Sequence, residues 1–134
     1  MPVGKTRDAG WEIGVSKTLP YPIDAVWNIL VARPSVWLGP DVSVPTEKGE
    51  QWQSSDGAVG ELRSRRDRDR IRLTWKPSGW DHDTTVQVAV GRGPNGTLVR
   101  FHQERLADAA ERELQREHWQ SVMDALESAL AATT

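Results

Sequence analysis

Cysteine is absent from the 134-residue chain, which excludes a disulfide framework, a thiolate metal site and a cysteine nucleophile, and suits a reducing cytosol. Phenylalanine and tyrosine occur once each. Charge of one sign is also lacking. Seventeen Lys plus Arg against nineteen Asp plus Glu leaves a net charge of −2, so the molecule has no general attraction for nucleic acid or anionic lipid. No window approaches the roughly 18 consecutive apolar residues of a membrane span, and the opening MPVGKTRDAG carries no apolar signal region. The expectation is a soluble, cytoplasmic protein with neither nucleic acid nor membrane as partner. The length predicts one domain over residues 1–134, with its core between about 11 and 130.

What the chain has in excess is tryptophan, seven residues in all. Trp11, Ile13 and Val15 alternate with Glu12, Gly14 and Ser16, the period of a strand with one buried face. A short helix is predicted over LPYPIDAVWNIL, where Pro22 suits the first turn, Asp24 favours the positive N-terminus and Val26, Trp27, Ile29 and Leu30 form an apolar side. Pro34 breaks it; Ser35 to Leu38 could form one more turn before Gly39-Pro40 redirects the chain. Strands follow at 50–55 and 58–65 around Asp56-Gly57, then at Ile71–Trp75, Thr85–Val90 and Leu98–Glu104. Short strands joined by turns predict an antiparallel sheet.

From about Asp108 to Ala131 the chain has no Pro or Gly, and Asp108 with Glu111 makes a capped helix start. At about 100° per residue, Trp119, Val122, Leu126 and Leu130 share one arc, with Leu114 and Met123 at its margins. The same arc reaches Gln115, flanked by Glu111 and His118. A helix stripe and a sheet face of this kind bury each other, which makes the fold class α+β.

The order VWNIL, WLGP, the Asp-Gly hairpin, RIRLTWKP and FHQERL, followed by a helix containing HW, resembles the SRPBCC superfamily, in the branch related to activators of the ninety-kilodalton heat-shock protein ATPase. The resemblance implies a helix-grip fold. In it a curved antiparallel sheet wraps a long C-terminal helix, with one or two short helices after the first strand and a cavity between sheet and helix. In related proteins the position of Gln103 can be a cavity-facing histidine, so glutamine there implies hydrogen bonding rather than acid-base chemistry.

In such a fold Trp75, Val86, Val88, Phe101, Trp119 and Val122 are the expected walls, with Gln103, Gln115 and His118 as orienting groups and Trp80 covering one end. Two readings stand: these tryptophans line a ligand cavity, or they are packing alone. Likewise the polar positions converge on one end of the groove, or the first helical turns project into water. The leading function is noncatalytic binding of a small apolar or amphipathic molecule. A second is interaction with a chaperone or other protein, as the resemblance implies. A third is a cyclase- or hydrolase-like enzyme with Glu111 and His118 as its acid-base pair, although seven helical residues set them about 10 Å apart along the axis.

Other signals lose force in context. GRGPNG at 91–96 copies a dinucleotide fingerprint but leads into a strand-like stretch, so it reads as a hairpin turn. RSRRDRDRIR at 63–72 reads as a solvated sheet face with a turn at its centre, and the turn-like Trp80-Asp81-His82-Asp83 lacks metal geometry. No Walker, G-x-S-x-G or paired-cysteine motif occurs. No catalytic residue, metal or cofactor is expected, and His102 is expected to face away from the cavity.

Overall fold

A computed structural model describes residues 5–6 and 10–133; most of the N-terminal stretch searched for a signal region therefore lies outside the described residues. The elements run β1 (Lys5–Thr6), β2 (Gly10–Leu19), α1 (Ile23–Ala32), a 3-10 turn (Pro34–Val36), β3 (Gln51–Gln53), β4 (Val59–Arg66), β5 (Arg70–Trp75), β6 (Thr84–Gly93), β7 (Gly96–Leu106) and α2 (Ala109–Thr133). The strands form one seven-stranded sheet in the order β1-β2-β7-β6-β5-β4-β3, and every pairing is antiparallel. Strand β1 has no counterpart among the predicted elements, because two residues are too few to show a period.

Alternation decides which face is buried. Ile71 and Leu73 on β5, Val86 and Val88 on β6, and Val99 and Phe101 on β7 are all fully buried, while Arg70 and Arg72 point to the other side. The register aligns them: Ile71 lies opposite Val88, and Val88 opposite Phe101. Register shifts interrupt β2 against β7 between Trp11 and Ile13, and β4 against β5 between Leu62 and Ser64. Such bulges bend a strand and increase its twist, which helps the sheet curve. Helix α2 packs against β2, β7, α1 and the 3-10 turn. Its stripe of Trp119, Val122, Met123, Leu126 and Leu130 is buried, and an ion pair of Lys17 with Glu127 at 2.7 Å fastens it to β2 from outside.

The helix starts as the capping residues predict: the Glu111 N–H donates to Asp108 Oδ1 at 2.8 Å, and Glu111 Oε1 accepts from the Ala107 N–H at 3.0 Å. Pro22 is the residue before α1 rather than part of its first turn. Leu114, predicted at the margin of the buried stripe, is 58% exposed, because the sheet does not reach that side of the first helical turns. The Asp56-Gly57 and Gly91–Gly96 segments are both hairpins, with Gly57 and Asn95 at positive φ. The arrangement is the predicted α+β helix grip. No helix is long and apolar enough to cross a membrane among the described residues.

Candidate functional site

The predicted site residues divide between two neighbourhoods. The first is the packed interface between sheet and helix. Gln103, fully buried on β7, is its hub: Oε1 accepts from Gln115 Nε2 at 3.0 Å and from Trp119 Nε1 at 2.9 Å. Its Nε2 donates to Thr84 Oγ1 at 3.0 Å, and Thr84 donates in turn to the Trp75 carbonyl at 2.7 Å. Phe101 stacks on Trp119 with centroids 5.1 Å apart and planes 17° apart. Val86 and Val88 complete this layer with no exposure. Both lone pairs of the Gln103 carbonyl are used, so the network behaves as a satisfied core element. The first turns of α2 do not project into water at Gln115, which is 4% exposed.

The second neighbourhood lies at one end of the grip, where Trp75, His118 and Val122 contribute to a pocket of about 340 Å³. Its other apolar walls are Val36 at the end of the 3-10 turn, Trp37 and Leu38 just after it, Ala58 beyond the β3–β4 turn and Pro77 after β5; Asp56 and Ser78 are exposed. These seven residues were not among the predicted site residues. Their signals were present as WLGP, Asp-Gly and Lys-Pro-Ser-Gly, but turn chemistry predicts a reversal of the chain without saying what the turn will face.

Rings run continuously from this pocket to the helix start. Trp75 stacks on His118 at 5.7 Å and 19°, and meets Trp119 at 6.1 Å and Trp80 at 5.9 Å. Trp80 stacks on His82 at 5.2 Å and 22°. His82 is held from both sides: Nδ1 lies 3.0 Å from Asp81 Oδ1, and Nε2 lies 2.8 Å from Glu111 Oε1. The hydrogen bond with Asp81, aided by the Glu111 carboxylate, raises the His82 pKa above its ordinary value despite partial burial. Burial alone lowers that of His118. The loop after β5 is thereby clasped to the start of α2. Glu111 and His118, the pair considered for acid-base work, are engaged separately, one with His82 and one with Trp75.

Nitrogen atoms separate the two neighbourhoods. Trp37, Trp52 and Trp119 donate to Leu30 O, Thr74 O and Gln103 Oε1, respectively. Among the described residues, Trp75 Nε1 and His118 Nε2 are the buried side-chain nitrogens with no partner. Both belong to residues that line the pocket.

Two further places on the surface gather polar groups. A larger opening of about 570 Å³ lies along β3 and β4, lined by Gln51, Gln53, Glu61 and Asp83 around Trp52. Polar groups make up the larger part of that lining, whereas apolar groups dominate the smaller pocket, and Trp52 is satisfied by Thr74, so the smaller pocket is the better candidate. On the outer sheet face Glu12, His102 and Glu104 place possible metal-ligand atoms within 4.8 Å of one another. His102 faces away from the interior there, as predicted. Arg72 already pairs with the Glu104 carboxylate at 3.0 Å, so one of the three possible ligands is engaged by a guanidinium.

The fold is shared widely. CalU16 from Micromonospora echinospora aligns over 93% of this chain and 80% of its own, with a TM-score of 0.76 and 18% identity. A protein of Mesorhizobium loti aligns over 92% and 98%, with a TM-score of 0.77 and 17% identity. A Plasmodium falciparum protein described as an HSP90 activator aligns over 91% and 97%, with a TM-score of 0.75 and 17% identity. At such identities the likeness is one of fold. No curated protein matches the chain in sequence. The model of the family described as Activator of Hsp90 ATPase homolog 1-like protein matches residues 20–131. That match spans the grip from the end of β2 to the last turn of α2, and the chain belongs to this family, within the SRPBCC superfamily.

Proposed function

We propose that the chain is a noncatalytic domain that binds a small, mostly apolar molecule, held in the pocket between the Pro34–Val36 turn, the end of β5 and α2. The observation that carries this reading is the pocket of about 340 Å³ walled by Val36, Trp37, Leu38, Trp75 and Val122. Its size and apolar lining are those of small-molecule sites. The packed layer below, with Val86, Val88, Phe101, Gln103, Gln115 and Trp119, serves as its floor support rather than its wall. The neutral dye N-phenyl-1-naphthylamine tests the reading. It should bind with saturable fluorescence enhancement, and Ser78→Trp at the exposed rim should abolish the signal without lowering thermal stability. No saturable binding, or equal binding to the variant, would sink the idea.

A second reading, interaction with a chaperone, draws on the family match and on one row of the outer sheet face. Arg66 lies opposite Arg70, Arg70 opposite Ala89, and Ala89 opposite Arg100. All three arginines are exposed, a strip suited to an acidic protein surface. Under this reading, binding to purified Hsp90 disappears in Arg66→Glu/Arg100→Glu and persists in Ser78→Trp; the reverse pattern would exclude it.

A further inference from the structure

The binding reading leaves open what chemistry the pocket selects, and the charges around it bear on that choice. Two residues of its lining have ionisable side chains, Asp56 and His118. Burial holds the His118 pKa below its ordinary value, so at neutral pH this ring supplies no positive charge. Asp56 is exposed, and its carboxylate is set in place by the turn that carries it. Ser54, 7% exposed, accepts from the Ala58 N–H at 3.0 Å and donates its hydroxyl to Asp56 Oδ1. A Cβ added at Gly39 would lie 3.4 and 3.5 Å from the two Asp56 carboxylate oxygens, and one added at Gly57 would lie 2.8 Å from Ser78 Cβ. Gly39 and Ser78 both line the pocket, so the Asp-Gly turn sits between two of its walls with the carboxylate beside one of them. Among the described residues no lysine or arginine pairs with Asp56.

We infer that the guest is an apolar amine, its hydrocarbon body seated in the pocket and its ammonium group paired with the Asp56 carboxylate. This rests on the binding reading above and adds to it the charge of the guest. The lining offers a carboxylate without a counter-ion and no cation beside it, which attracts a positive group and repels a negative one. The exposure of Asp56 suits that pairing. An ammonium held on the exposed side keeps part of its hydration, whereas one drawn among Trp37, Leu38 and Val122 would lose it at a cost that a single carboxylate does not repay. The apolar body then takes the space walled by those side chains. Oδ2 of Asp56 accepts no hydrogen bond within the described residues, so an ammonium can donate to it without displacing Ser54 from Oδ1.

Titration of the full chain with 2-naphthylmethylamine, 2-naphthylmethanol and 2-naphthoate, followed by calorimetry at neutral pH and low ionic strength, tests the inference. The amine should bind about three- to fivefold more tightly than the alcohol of nearly the same shape, the effect of one exposed ion pair, and 2-naphthoate should bind more weakly than either. Asp56→Asn, whose amide oxygen can still accept from Ser54, should bring the amine to the affinity of the alcohol and leave the alcohol unchanged. Asp83→Asn removes a negative charge from another exposed site and should leave the preference intact, which separates Asp56 from the net charge of the chain. In the wild-type chain added salt should weaken the amine and not the alcohol, a readout that requires no variant to fold. Equal affinities for amine and alcohol would overturn the inference and leave the binding reading standing. Tightest binding of 2-naphthoate, or an amine preference that survives Asp56→Asn or disappears equally in Asp83→Asn, would overturn it as well. Failure of all three compounds to bind would remove the binding reading and the inference together.

Discussion

Gln103 and Trp75 lie in one connected structure, since Thr84 bonds to both, yet they obey opposite rules. Around Gln103 each buried donor has found its acceptor, and a polar side chain at zero exposure acts as a fastening between β7 and α2. Around Trp75 two buried nitrogens have none, although the residues that carry them help to line a pocket. A saturated buried network specifies how sheet and helix meet, whereas an unsaturated one adds nothing to that fastening. The tryptophan excess thus serves two ends, with Trp119 fixed in packing and Trp75 positioned at a pocket.

The largest expected effect breaks the saturated side. Gln103→Leu keeps volume but strands the donors of Gln115 and Trp119, and should cost about 3 kcal/mol, read as a lower urea midpoint at unchanged slope. A loss under about 1 kcal/mol would mean that the network is replaceable by apolar packing. One substitution made in both regions sharpens the contrast further. Trp119→Phe removes a formed hydrogen bond and Trp75→Phe removes an orphaned donor, so the first should be the more destabilising by about 1–2 kcal/mol; equal losses would erase the distinction drawn between the two regions.

The smallest effect concerns the two histidines that end the ring series. His82, raised by Asp81 and Glu111, stabilises the fold fully below its unfolded value of about 6.5, and this contribution fades as pH rises through the raised folded value. His82→Gln should therefore narrow the gap between thermal midpoints measured below and above neutrality. The site is 28% exposed, which keeps the effect below about 1 kcal/mol. His118 has the opposite sign. Its folded value is lowered, so stability is lost as pH falls from about 6.5 through that value, and His118→Phe should remove that loss. Identical pH profiles for wild type and both variants would contradict the two assignments.

Periodicity made much of this legible before any coordinates. Ile71, Leu73, Val86 and Val88 alternate in the chain and are buried together, and the 100° stripe from Trp119 to Leu130 is the face that α2 presents to the sheet. Gln103 stood out as the polar member of an apolar strand face; Trp80, expected to cover one end of the groove, packs against Trp75 instead of lining the pocket. The pocket itself was not legible. It draws on the 3-10 turn, the β3–β4 turn, the segment after β5 and α2, and no local pattern says that these four will meet. The clasp of His82 by Glu111 was hidden for the same reason, since its partners are 29 residues apart.

The order of residues alone determined the element types, the buried faces and the family, because side-chain periods of two and 3.6 are properties of the local backbone. Tertiary structure alone decided which buried polar groups would be satisfied. Gln103 Oε1 met two donors across the helix–sheet interface, and the Trp75 indole N–H met no acceptor. A hydrogen bond between distant segments depends on where the curvature of the sheet and the seating of α2 bring donor and acceptor, to within a few tenths of an ångström.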